Sequence, residues 1–91
     1  MRMTEQTESG AYRVAREAVR PVEGGYAGDA VERLAKFEDL REELEAAQEE
    51  LSRKMAPLRA AGRTSSAQFR ELMGKKLMNS QILLLLSRRG L

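Results

Sequence analysis

The chain has 91 residues, 33% of them charged and 42% from the A, V, I, L, M, F, W, Y and C set, which bounds it to one small domain with a modest apolar supply. It has no cysteine and no histidine, excluding a disulfide framework, a thiol nucleophile, zinc-finger ligation and a histidine general base. Sixteen Lys and Arg against fourteen Asp and Glu leave +2, far from the strongly basic balance of a typical nucleic-acid binder.

Residues 1–28 are the least patterned and read as an N-terminal arm, extended or weakly structured. Met1 to Gly10 is polar, as a frayed terminus would be. From Ala11 to Val22 two patterns compete. Tyr12 and Val14 alternate with Arg13 as in a half-buried strand, whereas Ala11, Ala15, Ala18 and Val19 are spaced as on one helical face. Pro21 disfavours helix at Arg20, and Gly24-Gly25 signals a loop. The run Gly24-Gly25-Tyr26-Ala27-Gly28 lacks the spacing of a phosphate-binding loop and reads as a turn leading into a helix.

Asp29 is the first clear helix start, with Glu32 three residues on as an acidic form of the capping box. Ala30, Phe37, Leu44, Leu51 and Leu58 are each seven apart, and Leu34, Leu40, Ala47 and Met55 fill the alternate seam positions. Glu32/Lys36, Glu49/Arg53 and Glu50/Lys54 pair at i,i+4 in the favourable order. The spacing predicts a helix over 29–60, with Pro57 straining its last turn and Gly62 beyond its end. Thr64, Ser65 and Ser66 are cap candidates for a second helix, Ser65 with Gln68 making a second capping box, and the helix is expected over 65–89, carrying Phe69, Leu72, Met73 and Leu77 at helical spacing. Lys76 and Ser80 then fall on the same face as Phe69 and Met73, so two alternatives are expected: a break or bend with a new cap at Asn79-Ser80 before the aliphatic run Ile82 to Leu86, or one continuous helix whose buried face rotates near Asn79.

The expected fold class is therefore all-α: an antiparallel helical hairpin over 29–91 with an irregular N-terminal arm. A helix of thirty residues is about 45 Å long, whereas a compact chain of this size has a radius of gyration near ~12 Å. One stripe against one stripe leaves open sides, and each buried Leu or Ile contributes about 1.5–3 kcal/mol. A homodimer forming a dimeric helical bundle is the expected solution. The core and interface set is Phe37, Leu40, Leu44, Leu51, Met55, Phe69, Leu72, Met73, Ile82, Leu85 and Leu86; of these Phe37, Leu40, Leu44, Leu51, Met55, Ile82, Leu85 and Leu86 are the expected oligomer or partner contacts. Met55, Met73 and Met78 read as gap-fillers.

Residues 29–61 carry nine acids and six bases and residues 62–91 six bases and one acid, so an acidic helix lies beside a basic one. Glu38, Asp39, Glu42 and Glu43 form an acidic ridge, which reads as a solvated face because divalent-ion sites draw oxygens from several elements. Arg63, Arg70, Lys75, Lys76, Arg88 and Arg89 would be phosphate contacts if the C-terminal third were a helix-turn-helix with its turn at 77–80. Its reading helix, however, would offer an aliphatic block where polar side chains are needed. No constellation of Ser, Lys, Tyr or carboxylates with catalytic spacing is present, and no cofactor or metal is implied. No stretch approaches the ~20 apolar residues of a membrane span, and no signal-peptide apolar core is found, so the expected setting is cytoplasmic, with no membrane partner.

The segments AVERLAKFEDL (Ala30 to Leu40) and FRELMGKKLMNSQILLLLSRRGL (Phe69 to Leu91) resemble small uncharacterised helical proteins of phages and integrated mobile elements of Gram-positive bacteria. That resemblance implies a mobile-element accessory protein acting in the host-cell cytoplasm. The expected function is a non-catalytic protein-binding module, dimeric, that binds and obstructs a host or defence protein. The alternatives are a DNA-binding regulator using the basic third, and a structural or assembly component.

Overall fold

A computed structural model describes residues 1–91. The order of elements is β1 (Thr4–Gln6), β2 (Tyr12–Val14), a single 3-10 turn (Arg16–Ala18), β3 (Arg20–Val22), β4 (Gly25–Ala27), α1 (Asp29–Ala60) and α2 (Ala67–Arg88). The chain divides into two compact units, Met1–Glu38 and Asp39–Leu91, with α1 running through the boundary.

The first unit corrects the all-α expectation, because the arm is two antiparallel hairpins. β1 pairs β2 with Thr4 opposite Val14 and Gln6 opposite Tyr12, so the alternating pattern of Tyr12 and Val14 prevails over the helical one. The connection is closed locally: Thr7 N–H donates to the Ala11 carbonyl at 2.8 Å and Gly10 N–H to the Thr7 carbonyl at 3.0 Å. β3 pairs β4 with Arg20 opposite Ala27 and Val22 opposite Gly25. Its two-residue loop, Glu23-Gly24, needs a left-handed residue at its second position, and Gly24 supplies φ +78°. Pro21 is tolerated because both strands of a two-stranded sheet are edges. Such short ladders carry too few side chains to show a convincing period in a sequence, which is why this arm reads as unstructured.

Gly28 anchors the entry to α1. It has φ +133°, and a Cβ placed on it would stand 2.4 Å from the carbonyl oxygen of Ala18. Ala18 is the buried apolar residue of this unit, so the 3-10 turn and the start of the helix meet where only glycine fits. The Gly28 carbonyl then accepts from Glu32 N–H at 3.0 Å, opening the helical ladder.

The second unit is the antiparallel pair of helices. α1 passes through Pro57 and stops in a Schellman motif: Gly62 N–H donates to the Arg59 carbonyl at 3.0 Å and Arg63 N–H to the Leu58 carbonyl at 2.7 Å, with Gly62 at φ +70°. α2 starts at Ala67, two residues inside the expected span, and its cap lies one residue beyond Ser65. Ser66, and not Ser65 with Gln68, is the N-cap, its Oγ accepting from Phe69 N–H at 3.1 Å. α2 then runs unbroken to Arg88, which is the continuous one of the two alternatives and corrects the break or bend near Asn79.

The register is set by four contacts. Arg41 Nη1 reaches Ser87 Oγ at 3.4 Å, Gln48 reaches Ser80, Ser52 reaches Lys76, and the Arg59 guanidinium lies 5.4 Å from the Phe69 ring centroid. Each step along α1 is matched by an equal step back along α2, as two straight antiparallel helices require. The buried side chains are Leu51, Met55 and Phe69, with Met55 fully enclosed. Leu44, Leu72, Met73, Ile82 and Leu86 are half-buried. Phe37, Leu40 and Leu85, expected in the core or interface set, are exposed.

Candidate functional site: the outer face of α2

Lys76 and Ser80 do lie on the inner face of α2, as their spacing requires, but they are accommodated. Gln48 Nε2 donates to Ser80 Oγ and to the Lys76 carbonyl, both at 2.9 Å, and Lys76 Nζ donates to Ser52 Oγ at 2.7 Å. Each inward polar group of α2 meets a polar group of α1, so the helix continues where an apolar stripe would have failed. The Gln48 Oε1 atom is buried without a partner, so the layer is only partly satisfied. Its value is in matching α1 to α2 at one register, a role polar groups in helix seams commonly have.

Turning the inner face toward α1 turns another set of side chains outward. Leu77, Met78, Leu84 and Leu85 are 58%, 64%, 51% and 60% exposed. Leu77 and Leu84 are seven residues apart, as are Met78 and Leu85, so the four form one stripe with Gly74 and Gln81 along its middle. Single exposed apolar residues are ordinary, but a contiguous patch of this kind marks an interaction surface. Ile82 and Leu86 flank it, half-buried. Leu85 therefore belongs to the surface stripe. Leu77, Met78 and Leu84 complete it but were absent from the expected contact set, although their seven-residue spacing was visible.

The basic side chains expected to touch nucleic acid do not form one reading surface. Lys76 is turned inward to Ser52. Arg70 Nη2 donates to the Ser65 carbonyl at 2.7 Å, and Lys75 pairs with Glu71 at 3.5 Å. Arg63 is exposed in the connection that follows α1, and Arg88 and Arg89 are exposed at the C-terminal end of α2. The helix-turn-helix outline has no counterpart, because residues 77–80 are helical and continuous with both sides.

The acidic ridge Glu38, Asp39, Glu42 and Glu43 is exposed along α1, and no cluster of three acidic side chains is close enough to hold a metal ion. Farther along α1, Glu50 is held below its ordinary value, first by the hydrogen bond from Arg53 and then by the charge of that guanidinium. No helix is long and apolar enough to cross a membrane. Compared with known proteins, the chain matches no family model, no curated protein and no solved structure.

Proposed function

We propose that this chain is a non-catalytic protein-binding module that pairs with a second copy of itself through the outer face of α2. The observation that carries the reading is the exposed stripe of Leu77, Met78, Leu84 and Leu85. Fully burying a leucine contributes about 1.5–3 kcal/mol, and pairing would withdraw from water the roughly half of each side chain still exposed, a gain set against the cost of association. An antiparallel pairing about Gln81 sets Leu77 of one copy against Leu85 of the other, and Met78 against Leu84. Two helical hairpins joined in this way make a four-helix layer. We further propose, on the resemblance read in residues 30–40 and 69–91 alone, a cytoplasmic accessory role with a host or defence protein as the further partner.

Light scattering on the wild type and on Leu85→Asp tests the pairing. The expected result is a dimer mass for the wild type, and for Leu85→Asp a monomer mass with unchanged helicity. Equal masses for the two proteins would refute the interface. A tagged capture from host lysate, with and without nuclease, then tests the partner class. A defined protein that survives nuclease supports the module. Recovery that vanishes with nuclease assigns the basic residues to nucleic acid, and a self-assembly larger than a dimer with no partner assigns a structural role.

A further inference from the structure

We propose that a cleft in the first unit, between the β1–β2 hairpin and the opening turns of α1, binds an acidic peptide segment anchored by a large aliphatic side chain. Thr4 and Val14 are directly opposed in the hairpin, so their side chains point to the same side of it. On α1, Ala30, Arg33, Leu34 and Phe37 fall at i, i+3, i+4 and i+7, which is one helical face. These two surfaces line a cleft of about 570 Å³, with Met1, Arg2 and Met3 completing its wall.

The lining has a definite chemistry. Leu34 and Phe37 remain 55% and 45% exposed, giving an apolar floor that nothing in the unit covers. Two guanidiniums line the same cleft. Arg33 lies 5.7 Å from the Phe37 ring centroid, and Arg2 lies 5.6 Å from that of Tyr12 while its Nε donates to the Thr4 carbonyl at 3.1 Å. Neither forms an ion pair, whereas Arg13 on the same hairpin is matched to Glu5 at 2.8 Å. Stacked and tethered arginines lose little freedom on binding, and their planar forks match carboxylates. An apolar floor beside two positioned cations selects a ligand with carboxylates beside aliphatic carbon. The walls are open, so a small molecule would stay half in water, whereas an extended segment lies along both surfaces.

The test uses the full chain and a labelled, capped tetrapeptide alternating glutamate and leucine, read by fluorescence anisotropy and by amide chemical shifts. The expected result is saturable binding that shifts Thr4, Val14 and Arg33, and weakens by about tenfold or more in Arg33→Glu and in Arg2→Glu, as loss of a charge-assisted contact implies. A lysine–leucine peptide and a glutamate–alanine peptide should each bind at least about tenfold more weakly than the probe, the first for charge and the second for the aliphatic anchor. Helicity of both variants checks that the fold is retained. Leu85→Asp should bind the probe as the wild type does, which separates this site from the α2 interface. Equal affinity for all three peptides, binding unaltered by both arginine variants, shifts confined to residues 48–85, or displacement of the probe by oligothymidylate at lower concentration than by unlabelled peptide would each overturn the proposal.

Discussion

Gln48 donates its side-chain amide to Ser80 Oγ at 2.9 Å across the interface of α1 and α2. The same amide nitrogen reaches the Lys76 carbonyl, so one residue of α1 grips two successive turns of α2. Removing either partner weakens this bridge, and removing both should cost less than the sum. A double-mutant cycle on Gln48→Ala and Ser80→Ala is expected to give a coupling of about 0.5–1.5 kcal/mol in denaturant unfolding. Strict additivity would mean that the bridge contributes nothing to stability.

Gly28→Ala is expected to be the most damaging single-methyl change in the chain. The new Cβ would meet the Ala18 carbonyl at 2.4 Å, and the backbone φ of +133° is one that L side chains rarely adopt. A destabilisation of about 2 kcal/mol or more follows from strain of this kind. Amide exchange at Thr4–Ala27 should accelerate, while Leu51 and Met55 stay protected. Unchanged exchange in the hairpins would show that the chain shifts freely at this contact.

Gly74→Ala should act in the opposite direction. Gly74 lies inside α2, and a Cβ there would meet nothing within 4 Å. Alanine in a helix interior is better than glycine by about 0.5–1 kcal/mol. The gain should appear as a higher midpoint of denaturation in the Leu85→Asp background, where the outer face of α2 is taken out of play. A loss of stability there would indicate a steric constraint at Gly74 that the open surroundings do not show.

The pair Glu50 and Arg53 offers a pH test. Arg53 Nη2 lies 2.8 Å from Glu50 Oε2 and lowers the carboxyl pKa below its ordinary value. A carboxyl whose folded pKa is depressed contributes stability above its unfolded pKa, and that contribution disappears as pH falls through the folded value. Both groups are exposed, so solvent screening keeps the effect on stability small. The clearer measurement is a carbon-detected titration, in which Arg53→Ala should return Glu50 to the ordinary carboxylate range. An unmoved midpoint would place the cause elsewhere.

Much of the helical unit was legible in the chain. The seven-residue spacing from Ala30 to Leu58 sets α1, Gly62 stops it, and one stripe on each helix dictates antiparallel contact. The cap at Ser66 differed by one residue from the Ser65 reading, within the ambiguity of three adjacent hydroxyl residues. The exposed stripe was half legible: the Ile82 to Leu86 run announced surplus apolar surface, but not that Leu77 and Met78 extend it.

Local signals determined where helices start, stop and repeat, because capping, glycine conformations and side-chain periodicity act within a few residues. Only tertiary structure decided the remainder. Lys76 and Ser80 looked like a break because their partners, Ser52 and Gln48, lie more than twenty residues away and have no local trace. The hairpins looked irregular because three-residue strands are specified by pairing across a turn, not by their own composition. Arg2 and Arg33 were two scattered charges until the fold set both on one cleft. A helix can be read from neighbours along the chain, whereas a polar layer, a short ladder and a binding cleft are made by groups that become neighbours only after folding.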